Sequence, residues 1–297
     1  MPFVKVSDIK MYYKIFYHEK EIEKLDRSLP IMIVLHGGPG IVDHNIEINF
    51  WSKFSSYLQV IFLDQRGCGL TEDGDPVKWN LSQCSEDLYL FSKNLGIENP
   101  IMVGNSWGGY VIMAYLAKYS AHPQALIFCD AEARVSLDVM KKAYKRIGHE
   151  EAGDLACDYY QNPEKPGIFE KWAQTCVPLF SRTKFTFTAP ARVNMPMRIK
   201  FYKEELLQLD FRHNLKKICC PVLWLAGERN PTHPYEGAEE AAHYVPKQFI
   251  NLQVIKDTGA PVYHDQPEKA YKLCMGFIKH LLHIEEKKKN PSILCKL

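Results

Sequence analysis

Short runs of apolar residues recur along the chain, and most of them predict strands. Near the start, Phe3 to Val6 and Lys10 to Tyr17 alternate apolar and polar residues, which is typical of half-buried antiparallel strands. Further on, continuously apolar runs predict buried parallel strands at 31–35, 60–63, 101–103, 125–129, 221–226 and 249–255. A charged connector, 19–28, follows the first two runs. Helical periodicity separates most of the others, and the last helix is predicted over 266–283. The pattern therefore predicts an α/β fold, a mostly parallel sheet with helices on both faces.

The alternation of strands and helices stops after Asp130. Residues 131–217 contain helical patterns, the last of them at 202–209, and many aromatic side chains, but no convincing strand. Insertions longer than about 15 residues are usually functional, so we expect an inserted helical lid rather than an extension of the core. The predicted division is a core of residues 1–130 and 218–284, a lid of residues 131–217, and a basic tail of residues 285–297.

Composition and charge narrow the function classes. The net charge of +2 over 297 residues gives no sign of nucleic-acid binding. The first ten residues lack the apolar stretch of a signal peptide, and no apolar run approaches the ~20 residues of a membrane span. Nine cysteines without C-x-x-C spacing favour reduced, mostly buried thiols. We therefore expect a cytoplasmic protein with no membrane span and no nucleic-acid partner, and the sequence leaves its oligomeric state open.

A G-x-S-x-G segment, Gly104-Asn105-Ser106-Trp107-Gly108, lies between a predicted strand and a predicted helix. In such a turn the serine takes a strained backbone conformation, and the two glycines lack the Cβ atoms that would collide with it. The hydroxyl is then exposed at the edge of the sheet, beside a helix N-terminus that favours developing negative charge. Ser106 is therefore the predicted nucleophile of an acyl transfer. The alternative is a chance match in an ordinary loop.

An oxyanion hole is predicted from backbone groups. The N–H of Trp107 and an N–H from the Gly37-Gly38 turn would hold the oxyanion, and Pro39 would keep that turn stiff. An ordinary turn is the alternative. Because no H-x-x-x-H motif or cysteine pair has metal-ligand spacing and no nucleotide loop is present, we expect neither a metal nor a cofactor.

Three segments together resemble a known family: His36-Gly-Gly-Pro-Gly40, Asp64-Gln-Arg-Gly-Cys-Gly69 and Gly104-Asn-Ser-Trp-Gly-Gly109. In their order and spacing, the chain from about residue 31 to residue 282 resembles the α/β-hydrolase superfamily. Within it, the chain looks like the prolyl aminopeptidase (proline iminopeptidase) group.

The resemblance implies hydrolysis of an amide or ester, with a small-molecule or short-peptide ligand that carries an N-terminal proline or small apolar residue. It implies structural roles for Asp64 and Arg66. It also implies lid carboxylates that anchor the free amine, for which Glu204 and Glu205 are candidates, although charged residues on a lid helix are mostly solvated. The aromatic lid equally suits an apolar ester.

Two positions depart from the pattern that the resemblance implies. The triad acid should end a G-x-x-D run after the strand at 221–226, and that position holds Asn230. The triad histidine should follow the last strand, and that position holds Ala260. An amide carries no charge and a methyl group takes no proton, whereas a serine nucleophile needs a base and an orienting acid. The predicted catalytic positions are thus Ser106, Asn230 and Ala260, with the last two substituted.

Other residues could replace the missing groups. His264 lies four residues beyond Ala260 and could enter the site, or it is a surface or hydrogen-bonded histidine. Asp130 ends a strand where a few α/β-hydrolases place their acid, or it caps the first lid helix. His233 and His36 also lie near the edge where the site should open, and His36 belongs to the oxyanion loop.

Three hypotheses remain open at this point. The protein is a serine hydrolase with an impaired or altered site, a non-catalytic ligand-binding pseudoenzyme, or a deliberately inactivated hydrolase. The intact serine turn and oxyanion loop argue mildly against the second, because a protein long freed from catalysis has no need of a strained serine. All three predict that Ser106, Asn230 and Ala260 cluster at the C-terminal edge of the sheet, under the lid.

Overall fold

The computed structural model describes residues 2–183 and 190–289, with side chains as far as residue 282. The strands are β1 Phe3–Val6, β2 Ile9–Tyr17, β3 Lys20–Ile22, β4 Ile31–Leu35, β5 Gln59–Leu63, β6 Ile101–Asn105, β7 Ala125–Cys129, β8 Val222–Gly227 and β9 Ile250–Ile255. The α-helices are α1 Asn45–Trp51, α2 Leu81–Leu95, α3 Trp107–Tyr119, α4 Leu137–Arg146, α5 Glu150–Gln161, α6 Ile168–Cys176, α7 Met195–Glu204, α8 Arg212–Leu215, α9 Tyr235–Ala242 and α10 Pro267–Lys289.

One sheet contains all of these strands, in the order β1-β2-β5-β4-β6-β7-β8-β9, and β3 pairs with β2. β2 is antiparallel to its neighbours, and every pairing from β5 to β9 is parallel. Strands β4 to β7 are buried along their whole length, as continuously apolar runs require when helices cover both faces. The predicted fold class is confirmed. The parallel arrangement brings the carboxyl ends of β6, β7, β8 and β9 to one edge.

Three local predictions differ from the structure. Residues 20–22 form a short edge strand inside a segment that the sequence predicted to be a charged connector. The predicted helix from Tyr202 to Leu209 is instead α7, which begins at Met195 because the Asn194 side chain accepts a hydrogen bond from the Met197 N–H at 3.1 Å. The last helix continues to Lys289, six residues beyond its predicted end at His283, and the remainder of the predicted tail, 290–297, lies outside the described residues.

Five helices, α4 to α8, follow β7 and precede β8, where the sequence predicted a helical lid. Aromatic side chains fill the space between them. Tyr159 packs on Trp172 and on Tyr202, with ring centroids 4.8 Å and 5.1 Å apart. Such contacts contribute about 0.5–1.5 kcal/mol each beyond the area they bury. None of the described helices is long and apolar enough to cross a bilayer.

Gly108 at the start of α3 lies in close contact with the sheet. A Cβ atom at this position would lie 2.4 Å from the Leu35 carbonyl oxygen, which is a backbone atom in the middle of the sheet. We expect Gly108→Ala to lower the free energy of unfolding by about 3 kcal/mol through overpacking, measured by urea denaturation.

Gly276→Ala is the matched control, because Gly276 lies in α10 with open space around it. It should raise the free energy of unfolding by about 0.5–1 kcal/mol through helix propensity. Equal stability of the two variants would contradict the close approach at Gly108.

Candidate active site

Ser106 lies in the tight turn between β6 and α3. Its backbone angles are φ 50° and ψ −117°, the strained conformation that the G-x-S-x-G spacing predicted. The Ser106 N–H donates to the Cys129 carbonyl oxygen at 2.9 Å, which fixes the turn against the end of β7. The hydroxyl faces a cavity at the C-terminal edge of the sheet.

An imidazole lies next to this hydroxyl. Nε2 of His233 is 3.0 Å from Oγ of Ser106, within hydrogen-bond distance. His233 belongs to the loop between β8 and α9, three residues beyond Asn230. The prediction that Ser106 has no usual proton acceptor beside it is therefore wrong. The sequence placed His233 near this edge but assigned it no role.

A carboxylate orients the same imidazole. Oε2 of Glu132, in the loop after β7, is 2.8 Å from Nδ1 of His233, and the hydroxyl of Tyr110 donates to Oε1 of Glu132 at 2.5 Å. An ionised carboxylate only accepts hydrogen bonds, so Nδ1 of His233 carries a proton. In the neutral ring Nε2 is then the acceptor, and it faces the Ser106 hydroxyl. This is the tautomer that a general base requires.

The surroundings of His233 shift its pKa. Burial alone would lower the pKa, but the Glu132 carboxylate, through its charge and its hydrogen bond, together with the charge of Asp130, outweighs burial. The net result is a pKa above the ordinary value of 6.5. Glu132 therefore stabilises the imidazolium that would form when His233 takes a proton.

Asn230, at the predicted position of the acid, holds in place the loop that carries His233. Its side-chain oxygen accepts hydrogen bonds from the His233 N–H and the Thr232 N–H, both at 3.0 Å. Its amide nitrogen donates to Asp130 at 2.9 Å. Only an amide fills both roles, since an ionised aspartate could accept from the two N–H groups but has no donor for Asp130. Asn230 thus lies beside the site. None of its described hydrogen bonds involves Ser106.

Asp130 does not cap the first helix after β7, because the Ser136 side chain does so by accepting from the Val139 N–H at 3.4 Å. Asp130 instead accepts from Asn230 and from the Val262 N–H, the latter at 2.6 Å. Burial raises its pKa to about 7. It therefore ties together the loops that follow β7, β8 and β9, while Glu132 is the carboxylate that contacts the histidine.

Ala260 and Ser106 line the same cavity, so the predicted base position does lie at this edge of the sheet. The Ala260 N–H donates to the Phe180 carbonyl oxygen at 2.6 Å, which joins the loop after β9 to the helical segment above it. His264 is absent from the described residues that line the cavity, and its own N–H donates to Pro261 within the loop. Among the described histidines, the one hydrogen-bonded to Ser106 is His233 rather than His264.

The Gly37-Gly38 turn also lines the cavity, and the carbonyl groups that precede its two N–H groups have hydrogen-bond partners. The His36 carbonyl accepts from the Gln65 side chain at 2.8 Å, and the Gly37 carbonyl lies 2.6 Å from Nδ1 of His36. In a trans peptide the N–H points away from the preceding carbonyl. The N–H groups of Gly37 and Gly38 therefore point away from these partners. Trp107 begins α3, so its N–H is one of the first four, which lack an acceptor within the helix.

His36 has a structural role in the loop after β4. It is buried, and Nε2 lies 3.2 Å from the Gln65 N–H nitrogen, which donates to it. Burial lowers the pKa of His36, so the ring is neutral at pH 7 with Nδ1 protonated toward Gly37. Asp64 and Arg66 are likewise structural, since Asp64 accepts from the His44 N–H and Arg66 forms two hydrogen bonds with Asp87.

Asp43, His44 and Asp64 are the one group of described residues whose donor atoms are close enough to hold a metal ion. Hydrogen bonds already use their carboxylate oxygens. Asp43 accepts from Asn45 at 3.0 Å and from the Ala191 N–H at 2.7 Å, and Asp64 accepts from His44 at 2.9 Å and from the Leu70 N–H at 2.8 Å. The three residues therefore form a hydrogen-bond network that supports the loop after β4.

The side chains that face the cavity from the helical segment are mostly aromatic: Tyr160, Trp172, Phe180 and Tyr202, with Arg198 among them. The predicted amine anchors are elsewhere. Glu204 is exposed and forms an ion pair with Lys200, and the Glu205 carboxylate accepts from the Leu81 N–H at 3.0 Å at the start of α2. Neither glutamate is among the described residues that line the cavity.

Sequence reasoning missed Glu132, Tyr110 and Arg198. Two features of the sequence could have indicated Glu132. Glu132 follows Asp130 by two residues, at the strand end where a displaced acid was considered, and neither Asn230 nor Ala260 offers the charged acid or the base that the resemblance implies. Tyr110 and Arg198 gave no signal, because a tyrosine in an apolar helix and an arginine on a lid helix are ordinary at the level of sequence.

Comparison with known proteins places the fold in a family. A family profile described as "alpha/beta hydrolase fold" matches residues 30–267. Proline iminopeptidase from Thermoplasma volcanium is 31% identical over 176 residues, which are 54% of this chain and 55% of that protein. The proline iminopeptidase from Saccharolobus solfataricus is 28% identical over 173 residues, 54% and 52% of the two chains. The chain thus spans about half the length of the curated relatives it matches.

Solved structures match almost the whole chain. A proline iminopeptidase from Mycobacterium smegmatis superposes with a TM-score of 0.72 at 17% identity, covering 94% of this chain and 97% of that one. An esterase from Exiguobacterium antarcticum superposes with a TM-score of 0.71 at 18% identity, covering 94% and 99%. At such identities the likeness shows the fold alone. The chain belongs to the α/β-hydrolase fold family, and among its members it resembles proline iminopeptidases.

Proposed function

We propose that this protein is a serine hydrolase whose catalytic set is Ser106, His233 and Glu132. The observation that carries the proposal is the continuous chain of hydrogen bonds from Ser106 Oγ to His233 Nε2 and from His233 Nδ1 to Glu132 Oε2, at 3.0 Å and 2.8 Å. A nucleophile, a base and an orienting acid in this geometry define acyl transfer, whatever their order along the chain. Here the acid follows β7 and the base follows β8, each one strand earlier than the positions that the family resemblance implies.

The chemistry follows from the geometry. His233 takes the proton of Ser106 while Oγ bonds to the carbonyl carbon of the substrate. The oxyanion is held by the Trp107 N–H and an N–H of the Gly37-Gly38 turn, and one such donor typically contributes ~3–4 kcal/mol to the lowering of the barrier. The imidazolium then gives its proton to the leaving group. A water molecule, deprotonated by the same histidine, releases the acid product from Ser106.

The cavity favours an ester or amide with an apolar body over a peptide with a free N-terminal proline. Aromatic side chains cover it, and no carboxylate from the described part of residues 131–217 lines it to pair with an amine. Proline iminopeptidase activity is the property of the named relatives and is a secondary candidate here. A binding-only protein is the alternative of another class.

A fluorophosphonate probe tests the proposal, because it phosphonylates a serine only when that serine is an activated nucleophile. We expect one adduct per chain at pH 8, assigned to Ser106 by peptide mass spectrometry and absent from Ser106→Ala. Hydrolysis of 4-nitrophenyl hexanoate should be lost in parallel. An unlabelled wild-type protein after long exposure at high pH would favour the binding-only alternative.

A further inference from the structure

Arg198 is a buried cation beside the proposed nucleophile. It lies in α7 with 2% of its surface exposed, and it lines the same cavity as Ser106. A guanidinium is charged at every physiological pH, and a charged group is almost never fully buried without a partner of opposite charge. If no group of the protein supplies the negative charge, a ligand in the cavity is expected to supply it.

Neutral groups hold the guanidinium in place. Nε donates to the Tyr159 hydroxyl at 2.5 Å and Nη2 to the Tyr202 hydroxyl at 2.7 Å, and Nη1 faces the carbonyl oxygens of Gly38 and Pro39 at 3.3 Å and 3.5 Å. The Tyr202 and Trp172 rings lie 4.4 Å and 5.3 Å from the guanidinium carbon. Within residues 2–183 and 190–282, no carboxylate lies at ion-pair distance from Arg198.

The contacts leave donor capacity for a ligand. A guanidinium has five N–H groups, and the described contacts supply four acceptor atoms, two of them at the single nitrogen Nη1. At least one N–H therefore has no acceptor among them. Aromatic faces reduce the cost of burying a cation by about 0.5–2 kcal/mol, but they do not neutralise its charge.

The other charged groups around the cavity favour a negatively charged ligand over a positively charged one. Asp130 is the one described carboxylate that lines the cavity, and Asn230 and the Val262 N–H bind its oxygens. A substrate with a free amine would bring a second positive charge into the pocket of Arg198. A carboxylate on the substrate would instead neutralise the Arg198 charge and accept a charge-assisted hydrogen bond from it, in a site shielded from water.

We propose that Arg198 forms an anion subsite, so that the substrates are esters or amides that carry a free carboxylate in addition to the bond that is cleaved. This inference deepens the proposed hydrolase function and rests on it. Arg198 also supports the oxyanion turn through Gly38 and Pro39. Loss of that support would slow all substrates alike, whereas loss of an anion subsite would slow only those with a carboxylate.

The test therefore measures a preference rather than a rate. Half-acid 4-nitrophenyl esters of glutaric to suberic acid are compared with neutral 4-nitrophenyl esters of equal chain length. For a carboxylate on the leaving group, 4-carboxyphenyl hexanoate is compared with 4-carbamoylphenyl hexanoate. The preference is the ratio of kcat/KM within each pair. We expect the wild-type protein to prefer the carboxylate by about 10- to 100-fold in at least one pair, mostly through KM.

In Arg198→Met that preference should fall to about one, and Arg198→Lys should keep a part of it, because a lysine keeps the charge but lacks the planar fork. Lys200→Met is the matched control, since Lys200 is a cation of the same helix that pairs with Glu204. It should keep the wild-type ratio. A wild-type protein without preference in any pair, or a preference that survives Arg198→Met, would overturn the anion subsite.

Binding to the inactive Ser106→Ala protein separates this inference from the hydrolase proposal. By calorimetry, adipamate should bind at least about 10-fold more tightly than hexanamide, and Arg198→Met should remove the difference. Binding of this kind without fluorophosphonate labelling would refute the hydrolase and keep the subsite. Labelling of Ser106 without any preference for adipamate would refute the anion subsite and keep the hydrolase proposal.

Discussion

Replacing His233 by alanine is expected to lower kcat/KM for 4-nitrophenyl hexanoate by about 10⁴- to 10⁶-fold. The loss is large because Ser106 is a weak nucleophile without a base, and among the described histidines only His233 is hydrogen-bonded to it. The measurement is steady-state hydrolysis at pH 8, with the protein concentration high enough to detect the residual rate. Circular dichroism and the unfolding midpoint should remain close to those of the wild-type protein.

His264→Ala is the informative comparison, because the sequence made His264 a candidate for the base that the resemblance implies at position 260. We expect less than a threefold change in kcat/KM for this variant. A loss of 100-fold or more in His264→Ala, together with an active His233→Ala, would return the role of base to the loop after β9.

Glu132→Gln is expected to lower kcat by about 10⁴-fold, nearly as much as removing the base. The Tyr110 hydroxyl donates to Oε1 of Glu132, which keeps the remaining carbonyl oxygen of a glutamine on the Tyr110 side. The new amide N–H₂ then faces Nδ1 of His233 and holds the ring in the tautomer whose Nε2 is protonated. Such a ring cannot take the proton of Ser106.

The same substitution should shift the pH profile. In the wild-type protein the pKa of His233 lies above 6.5. As the pH drops through that pKa the base becomes protonated, so kcat/KM should fall there. Without the Glu132 charge the imidazolium is less stable, and the acid limb should move to lower pH. Glu240→Gln, which removes an exposed carboxylate paired with Arg134, should leave both kcat and the profile unchanged. A profile that stays fixed in Glu132→Gln would contradict the role of this carboxylate.

Much of the fold followed from sequence periodicity, and for a physical reason. Strands β4 to β8 are buried on both faces, so their sequences are continuously apolar and are easily distinguished from amphipathic helices such as α2. The serine turn was equally readable, because the backbone at Ser106 tolerates only Gly104 and Gly108 around it. Elements fixed by weaker local signals were misplaced, as with the three-residue edge strand β3 and the start of α7.

The candidate site was predicted only in part, because a hydrogen-bonded set depends on which loops meet at the edge of a sheet. The sequence predicted that Asn230 and Ala260 lie at the C-terminal edge of the sheet, and in the structure they follow β8 and β9. It did not show that Asn230 would hold the loop of His233 or that Glu132 would reach that ring. The contact of Glu132 with His233 and the contact of Asn230 with Asp130 each join residues about one hundred positions apart in the chain, and neither is part of a local motif.

The most direct test of the displaced catalytic set is the rate at which a fluorophosphonate inactivates the wild-type protein and His233→Ala between pH 5 and pH 9. We predict that the wild-type rate rises with pH through an inflection above 6.5, and that His233→Ala is inactivated at least about 10³-fold more slowly with no inflection in this range. Equal rates with the same pH dependence in both proteins would contradict the assignment of His233 as the base of Ser106.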